Sequence, residues 1–156
     1  MILFSIFLLY MYFRQLESND YDSNYFQVLS QLSFIDNKSI TQDQWNLFIS
    51  QLNNNHQIYV LIDPSSNNII ASGTLLIENK IIHNMGKVAH IEDIVTDNKF
   101  RGKGYGKMMI EYLIEKAKEH QVYKIILNCS DENIKFYEKC GFELKSNQMA
   151  KYFIPV

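Results

Sequence analysis

The sequence predicts a mixed α/β fold: a central sheet with flanking helices, built as a single domain. Strand-like and helix-like segments alternate along the chain, and its 156 residues are a one-domain length. Hydrophobic residues make up 47% of the chain and aromatic residues 13%, which is enough for a sizeable core. Strands are inferred where apolar and polar residues alternate, and helices where apolar residues recur at three- and four-residue spacing.

The first half of the chain predicts one strand and two helices. The strand is "LYMYFRQLE", and the first helix is "SNYFQVLSQL". The second, "TQDQWNLFISQL", opens with Thr41 and Gln44 in a capping-box pattern, which favours a helix start. The side chains expected to face the core from these helices are Phe26, Leu29, Leu32, Trp45, Phe48, Ile49 and Leu52.

The middle of the chain predicts three strands and a long helix. "IYVLID" and "NNIIASGTLLI" are apolar and β-branched, with "DPSSNN" as the turn between them. After a turn at "ENK", "VAHIEDIVT" alternates as a strand does, with polar groups on both faces near its middle. "GKMMIEYLIEKAKEHQ" predicts an amphipathic helix whose apolar stripe is Met109, Ile110, Leu113, Ile114 and Ala117.

The last part of the chain predicts a strand, a short helix and a final strand. "VYKIILNC" is an apolar strand, and "SDENIKFYEKCGF" is a helix with Ser130 as its N-cap and Gly141 at its end. "MAKYFIPV" is expected to close the chain as a strand. The predicted order is therefore β-α-α-β-β-β-α-β-α-β.

Charge and cysteine content exclude several classes of protein. A formal net charge of −2 leaves no electrostatic footprint for nucleic acid. Cys129 and Cys140 have neither zinc-ligand spacing nor a disulfide framework. We therefore expect no metal, reduced thiols and a cytoplasmic protein.

The N-terminal run "MILFSIFLLYMYF" is apolar but too short for a membrane-spanning helix, which needs roughly 20 residues. It also lacks the basic region and small-residue cleavage site of a signal peptide. We interpret residues 1–9 as an apolar extension and residues 10–156 as the folded domain. Contact of this run with a membrane is the less favoured alternative.

The stretch "RGKGYGK", residues 101–107, predicts a phosphate-binding site. It lies between a predicted strand and a predicted helix, where helical N–H groups lack internal partners and the helix dipole favours anions. Its glycines let a phosphate approach the backbone. Arg101, Lys103 and Lys107 add positive charge.

Two common phosphate motifs do not fit this stretch. A P-loop ends in Gly-Lys-Ser/Thr, but Met108 follows Lys107, and the spacing of the glycines is not that of the dinucleotide fingerprint. Arg101, Gly104 and Gly106 instead match Arg/Gln-x-x-Gly-x-Gly/Ala. This pattern resembles the pyrophosphate loop of the GNAT superfamily of acetyl-CoA-dependent N-acetyltransferases, whose fold has the predicted element order.

Three longer blocks sharpen this resemblance. "KIIH", "IEDI" and "KFYEKCGF" are similar to segments of the glucosamine 6-phosphate N-acetyltransferase family within that superfamily. The resemblance implies transfer of an acetyl group from acetyl-CoA to the amine of glucosamine 6-phosphate, on the way to UDP-N-acetylglucosamine. It also implies a homodimer whose sugar-phosphate pocket borrows residues from the partner.

The resemblance further implies which residues hold acetyl-CoA. The pantetheine arm pairs with a splayed strand edge, here Ile94, Val95 and Thr96, whose backbone N–H groups face the thioester carbonyl. Tyr137 is expected to protonate the departing thiolate. The remaining residues implied at the coenzyme are Arg101, Gly102, Lys103, Gly104, Tyr105, Gly106, Lys107, Asn133, Ile134 and Lys135.

On the acceptor side, Glu92 and Asp93 are the implied catalytic carboxylates. Because neighbouring strand residues point to opposite faces, we expect one to hold sugar hydroxyls or the amine while the other orders a loop or the dimer. The other residues that match acceptor contacts of the family are Ser33, Lys80, His83, Tyr123, Lys124, Asn128, Lys151 and Tyr152.

Two positions depart from the family pattern. Asn128 stands where relatives carry an acidic residue, and an amide cannot accept a proton from an ammonium group. The amine would then arrive neutral or lose its proton through water to Glu92 or Asp93. Tyr152 aligns with a phosphate-binding arginine of the family and lacks that residue's bidentate fork, so we expect phosphate affinity to be weaker or to be redistributed to Lys151.

Two alternatives stay open from the sequence. One is a GNAT enzyme that acts on another small amine or on a protein N-terminus. The other is a non-catalytic acyl-CoA-binding module, which the presence of Tyr137 and the paired acids disfavours. A panel of amines with a thiol-detecting assay separates the three.

Overall fold

A five-stranded mixed sheet organises the chain. The structure, a computed structural model, describes residues 11–153. The strands lie side by side in chain order: β1 (Tyr12–Gln15), β2 (His56–Asp63), β3 (Asn68–Asn79), β4 (Lys87–Thr96) and β5 (Lys124–Ile126). Strands β1 to β4 are antiparallel, and β5 runs parallel to β4. This confirms the predicted mixed α/β class; the proposed extension at residues 1–9 lies outside the described residues.

Residues 11–153 contain five α-helical segments. They are α1 (Tyr25–Leu29), α2 (Gln42–Gln51), α3 (Ile82–Met85), α4 (Tyr105–Glu119) and α5 (Ile134–Glu138), with 3₁₀ turns at Ser18–Asp22, Asn98–Phe100 and Asp131–Asn133. Helix α4 makes the crossover between the parallel strands β4 and β5, as such a connection requires. The chain forms two compact units, one ending at Ile126 and the other beginning at Leu127.

The N-terminal unit buries both faces of its central strands. Along β2, Ile58, Val60 and Ile62 belong to a cluster that also contains Tyr25 and Trp45 of the first two helices. The alternate residues of β2 face the other side and are buried as well. Helix α4 contributes a fully buried stripe, which is Met109, Ile110, Leu113 and Ala117.

Helix α2 starts as the sequence predicts. Thr41 Oγ1 accepts the Gln44 N–H at 3.2 Å, and Gln44 Oε1 accepts the Thr41 N–H at 2.8 Å, so the capping box is formed. Trp45 is buried, but Phe48 is 38% exposed, contrary to the expectation that it would be buried in the core. Phe48 instead lines a cavity that the helical periodicity does not reveal.

The N-cap residue of α1, Asn24, hydrogen-bonds to the sheet, and buried Tyr25 and Val28 pack the helix against the same face. The Asn24 amide donates to the Ile69 carbonyl at 2.8 Å and accepts the Ile69 N–H at 2.9 Å, so it pairs with β3 as a neighbouring strand would. The helix ends at Leu29, earlier than predicted, and Leu32 is consequently 45% exposed. This anchoring fixes α1 beside β4, where the site lies.

Three predicted elements differ from the structure. The predicted final strand at 149–156 is wrong for its described part, because residues 149–153 pair with no strand and backbone ladders, not composition, define a strand. Strand β5 is limited to Lys124–Ile126. The turn expected at "ENK" is followed by α3, in which His83 and Asn84 have left-handed backbone angles. No helix within residues 11–153 is long and apolar enough to cross a membrane.

Candidate functional site

A β-bulge interrupts β4 at its two carboxylates. Ser72 of β3 pairs with Val95 and Thr74 pairs with Glu92, so the single residue Gly73 faces both Asp93 and Ile94. Asp93 has φ 52°, the left-handed conformation that lets one extra residue fit into the strand. Because of this extra residue, the side chains that follow the bulge in β4 point to the opposite face from the one that unbroken strand alternation would give them.

The bulge places Glu92 and Asp93 on the same face of the sheet. Glu92 lies opposite Thr74, and Thr74 and Asp93 line one cavity on the side of α1 and α2. Ile94 points to the other side, because its Cδ1 would lie 2.6 Å from a Cβ added at Gly73, which would also meet Leu113 of α4. The expectation that the two acids face opposite ways is thus wrong, since it assumed an unbroken alternation.

The pKa of Glu92 is raised above its ordinary value of 4.5. Burial of the half-buried carboxyl is the main cause, the neighbouring Asp93 charge is the second, and His90 acts in the opposite direction. A carboxylate with a raised pKa is a better proton acceptor than an ordinary surface glutamate. Glu92 is therefore suited to take a proton from a substrate amine.

The raised pKa makes a prediction about stability. The folded protein binds the Glu92 proton more tightly than the unfolded chain does. The free energy of unfolding therefore falls as the pH rises from about 4.5 through the raised pKa of Glu92. We expect Glu92→Gln to raise the free energy of unfolding at pH 7 and to leave it unchanged below pH 4, measured by urea titration at each pH.

A matched control, Glu78→Gln, is expected to change stability in the opposite direction. Hydrogen bonds from Lys80 and His90 lower the pKa of Glu78, so Glu78 contributes stability above its ordinary pKa. Glu78→Gln should lower stability at pH 7, and the difference should disappear in acid. A loss of stability at pH 7 for Glu92→Gln would contradict the burial argument.

A cavity of about 260 Å³ lies beside the bulge. Its walls are mainly aromatic and aliphatic side chains of α1, α2 and the segment between them, and Asp93 and Thr74 supply polar groups. Burial, the main cause, raises the pKa of Tyr25 to about 12, and a hydrogen bond with Ser72 partly opposes the rise. The phenol of this wall therefore stays neutral at physiological pH.

The glycine stretch forms the start of α4, as predicted. Gly104 is the N-cap, and Gly102 and Gly104 have φ of 76° and 87°, values that favour glycine. The first helical hydrogen bond runs from the Met108 N–H to the Gly104 carbonyl at 3.0 Å. The N–H groups of residues 105–107 precede it and lie at the positive end of the helix dipole.

Basic residues surround this helix start. The Arg101 Nε donates to the Thr96 carbonyl at 3.1 Å, which folds the loop back onto the end of β4. Lys103 Nζ lies 5.2 Å from the centroid of the Phe100 ring, and Lys107 forms an exposed ion pair with Glu111 at 3.5 Å. All three cations are exposed at the loop, in keeping with an anion site.

Strand β4 pairs with β5 only near its start. Its pairing with β5 covers only Val88, Ala89 and His90, whereas its pairing with β3 continues to Thr96. Residues 91–96 therefore extend beyond β5, and Ile94, Val95 and Thr96 lie in this part. A strand segment of this kind has backbone groups with which an extended ligand arm could pair, and binding of such an arm at residues 94–96 stays a prediction.

Four of the predicted acceptor residues lie near the start of β4: Lys80, His83, Tyr123 and Lys124. The His83 ring packs on Tyr123 with centroids 4.3 Å apart, and Lys124 Nζ lies 5.8 Å from the Tyr123 centroid. Lys80 forms a short ion pair with Glu78, which also contacts His90 Nε2 at 3.0 Å. Consecutive left-handed residues at 83–85 present the His83 ring to Tyr123 at a cost in backbone strain.

Three of the predicted phosphate-binding residues belong to the N-terminal unit, and they lie at opposite ends of β4. Lys124 pairs with Val88 at the start of β4, and Lys80 follows the β3 residue that pairs with Lys87. Ser33 lies at the other end, two residues after Gln31, whose Oε1 accepts the Asn98 N–H at 2.7 Å. Since β4 spans roughly 25 Å between these points, one phosphate cannot contact both groups.

The other predicted residues belong to the C-terminal unit. Tyr137 lies on α5 with its ring 5.0 Å from that of Phe136 and 6.2 Å from that of Phe142. Asn133 Nδ2 donates to Ser130 Oγ, and the Asn133 N–H donates to the Ser130 carbonyl at 2.9 Å. The rest of this set also lies in the unit: Asn128, Ile134, Lys135, Lys151 and Tyr152.

Sequence reasoning missed three residues that shape the site. Gly73 faces the bulge, and a lone glycine inside a strand pattern is a signal that could have revealed it. Asp97 is buried and accepts the Lys99 N–H at 3.0 Å, a cap that "TDNKF" could have indicated. Gln31, in the turn after α1, contacts the turn before the glycine loop, and nothing local in the sequence indicates this contact.

Comparison with known proteins identifies the family to which this chain is similar. Residues 13–142 match the model of the acetyltransferase (GNAT) family. A glucosamine 6-phosphate N-acetyltransferase of Arabidopsis thaliana is 41% identical over 90% of this chain and 95% of its own length. A glucosamine 6-phosphate N-acetyltransferase of Dictyostelium discoideum is 43% identical over 90% of this chain and 89% of its own length.

Solved structures agree with these sequence matches. The crystal structure of the Arabidopsis enzyme covers 93% of this chain and 99% of its own, with 39% identity and a TM-score of 0.88. The predicted fold and family are both confirmed. This chain, with its bulged β4 and its glycine loop at the start of α4, belongs to the acetyltransferase (GNAT) family.

Proposed function

We propose that the protein transfers the acetyl group of acetyl-CoA to the amine of glucosamine 6-phosphate. The product, N-acetylglucosamine 6-phosphate, would feed the synthesis of UDP-N-acetylglucosamine in the cytoplasm. The observation that carries the acceptor assignment is the similarity to enzymes named for this reaction in a plant and an amoeba, over nine-tenths of the chain.

The donor half of the proposal rests on the geometry of β4 and α4. The pyrophosphate of acetyl-CoA would accept hydrogen bonds from the N–H groups at the start of α4, with Arg101, Lys103 and Lys107 nearby. Since a Cβ at Gly102 or Gly104 would meet nothing within 4 Å, the backbone there is open to a ligand. The pantetheine arm would pair with residues 94–96.

The proposed chemistry is a direct attack. The amine nitrogen bonds to the thioester carbonyl carbon, the carbonyl oxygen becomes negatively charged, and the bond from carbon to sulfur then breaks. Backbone N–H groups near the bulge would stabilise the oxyanion. Tyr137 would donate its phenolic proton to the departing thiolate, which makes the thiolate a better leaving group.

The amine must lose a proton before or during the attack. Asn128 cannot accept it, and Glu92 has the raised pKa of a proton acceptor. Because the bulge turns Asp93 to the same face, the second carboxylate can hold the ammonium while Glu92, directly or through water, removes the proton. We propose these roles for the two acids in place of an acid at position 128.

The acceptor assignment is tested by comparing two sugars. We expect kcat/KM for glucosamine 6-phosphate to exceed that for unphosphorylated glucosamine by about 10²-fold or more, since charge-assisted phosphate contacts exist for only one of them. A thiol-detecting assay measures both, and a panel of polyamines and peptide N-termini serves as the control. Equal efficiency for the two sugars would contradict the assignment.

The separation of the phosphate-binding residues supports a shared site. Lys80 and Lys124 lie at one end of β4 and Ser33 at the other, so we propose a homodimer in which the partner completes the sugar-phosphate pocket. Ser33 and Lys151 are the candidates for reaching across. The C-terminal segment is the candidate contact, because Met149, Tyr152 and Phe153 are 95%, 70% and 86% exposed.

A truncation tests the dimer. Deleting residues 149–156 should remove the apolar contact and Lys151, and so abolish both dimerisation in sedimentation and the preference for the phosphorylated sugar. A full-length variant with Met149→Ser and Phe153→Ser is the control that keeps Lys151 and the chain length. A truncated monomer that retains full activity and phosphate preference would rule out the shared site.

A further inference from the structure

His90 is a polar residue of β4 that the proposed transfer does not use. It pairs with Leu76 of β3 and with Ile126 of β5. The pairing with β3 is regular from His90 to Glu92, so strand alternation puts both side chains on the same face of the sheet. Residues two positions apart in a strand have Cα atoms roughly 7 Å apart. His90 is therefore close enough to act on Glu92 electrostatically.

A carboxylate of β3 holds the His90 ring in place. His90 Nε2 lies 3.0 Å from Glu78 Oε2, and because an ionised carboxylate only accepts hydrogen bonds, the imidazole is the donor. Hydrogen bonds from Lys80 and then from His90 lower the pKa of Glu78, so this carboxylate stays ionised where carboxyl groups usually titrate. A histidine is ordinarily a cation in that acidic range. Glu78 therefore fixes a positive charge on the face that carries Glu92.

Strands β3, β4 and β5 and helix α1 all contribute titratable groups to this face. They are Glu78, Lys80, Glu92, Asp93, Lys124 and Tyr25. Lys80 is paired with Glu78, and Lys124 lies beside Val88, farther from the bulge than His90. Within residues 11–153, no cation forms a direct ion pair with Glu92. The positive charge that acts on Glu92 along the strand is that of His90.

Burial and His90 act on the Glu92 carboxyl in opposite directions. Burial, the main cause, and the Asp93 charge raise the pKa of Glu92, and the His90 charge lowers it. A base whose pKa rises too far is protonated at the working pH, whereas a base with an ordinary pKa is a weak proton acceptor. A cation two residues away limits the rise and leaves the carboxylate oxygens free for a substrate.

We propose that His90 is a positioning residue for the acetyl transfer: held by Glu78, its positive charge keeps the Glu92 carboxyl ionised and ready to accept the proton of the acceptor amine. His90 takes no part in the bond changes, since the amine proton goes to Glu92. The inference rests on the proposed function, in which Glu92 is the proton acceptor.

The effect of His90 on Glu92 can be measured without any substrate. NMR of the carboxyl carbons gives the protonation midpoint of Glu92 in the full-length protein. His90→Gln keeps a side-chain donor for Glu78 but removes the charge, so the midpoint should move to higher pH. His90→Arg keeps a cation and should leave the midpoint at or below that of the unaltered protein. The matched control is His120→Gln at the end of α4, which should leave the midpoint unchanged.

The acidic limb of kcat/KM for glucosamine 6-phosphate is the activity readout. The sugar amine is common to all variants, so a difference between their limbs reports on the enzyme. On this limb, kcat/KM of His90→Gln should be about threefold lower than that of the unaltered protein, the effect of one unit charge roughly 7 Å away in a water-like medium. The plateau should change by less than about twofold, because only the ionisation of Glu92 is altered. His90→Arg should restore the limb.

Three results would overturn the inference. The first is a Glu92 midpoint that does not move in His90→Gln, and the second is an equal upward movement in His90→Gln and His90→Arg. The third is a limb that stays in place while the midpoint moves, because Glu92 would then not be the proton acceptor. A lower plateau with an unmoved limb would reduce His90 to a packing residue.

Failure of the proposed function gives a different result. An unaltered protein that does not acetylate glucosamine 6-phosphate would contradict the acceptor assignment. The NMR midpoints need no acceptor, so they would still support or overturn the effect of His90 on Glu92.

Discussion

Replacement of Tyr137 by phenylalanine is expected to lower kcat about 10²-fold while the affinity for acetyl-CoA stays nearly unchanged. The substitution keeps the ring that packs between Phe136 and Phe142 and removes the hydroxyl, which is the proposed proton donor. Because the hydroxyl is proposed to act as the thiolate departs, its loss is expected to raise the barrier without weakening the bound substrates. Single-turnover kinetics measure the chemical step, and calorimetry measures the acetyl-CoA affinity.

The matched control is Tyr112→Phe, which also removes one hydroxyl from a half-buried ring. Tyr112 stacks on Phe13 with centroids 4.1 Å apart and lies on α4, so its substitution tests packing and general hydroxyl loss. We expect its kcat to remain within about twofold of the unaltered protein, as surface-like substitutions usually do. An unchanged single-turnover rate in Tyr137→Phe would reduce Tyr137 to a packing residue.

The second large effect is expected at Gly73. A Cβ at this position would lie 2.6 Å from Ile94 Cδ1 and 2.8 Å from Leu113 Cδ1, both inside the layer between sheet and α4. Gly73→Ala should therefore lower the free energy of unfolding by about 1–3 kcal/mol, the usual cost of overpacking. Urea denaturation measures this change.

The same substitution should also lower kcat. Relief of the clash requires the Cδ1 end of the Ile94 side chain to move. Because this side chain is packed against Leu113, we expect part of the shift to reach the Ile94 backbone, whose N–H group is proposed to face the oxyanion. We expect a loss of about 10²-fold, the lower end of what removal of one oxyanion donor costs. Activity is measured at saturating concentrations of both substrates.

A double variant separates the clash from other effects. Ile94→Val removes the Cδ1 atom that a new Cβ would meet first, so Gly73→Ala combined with Ile94→Val should recover part of both losses. Ile94→Val alone should cost about 0.5–1.5 kcal/mol. Purely additive losses in the double variant would show that Gly73 acts through something other than its contact with Ile94.

Local signals in the sequence predicted local structure well. Thr41 and Gln44 fixed the start of α2, because both partners of the capping box lie within four residues. The glycine loop at the start of α4 was predicted for the same reason, since its glycines and its helix are adjacent in the chain. Such features depend on near neighbours and not on the rest of the fold.

Features that depend on distant residues were not predicted. The direction of Asp93 follows from a register shift against Gly73, twenty positions earlier in the chain, and strand alternation alone gave the wrong face. Phe48 belongs to the apolar face of α2 but lines a cavity. Helix periodicity predicts which face is apolar, and it does not predict whether other side chains cover that face. The separation of Lys124 and Ser33 became visible only once both ends of β4 were placed.

The hydrogen bond from the Asn98 N–H to Gln31 Oε1 has a consequence for how the two substrates bind together. It joins the turn after α1, which leads to the proposed acceptor residue Ser33, to the turn that leads into the proposed coenzyme loop. If binding of one substrate favours the conformation that this hydrogen bond stabilises, less conformational ordering remains to be done when the other substrate binds. Thermodynamic linkage then demands reciprocity: acetyl-CoA must tighten the sugar by the same factor by which the sugar tightens acetyl-CoA.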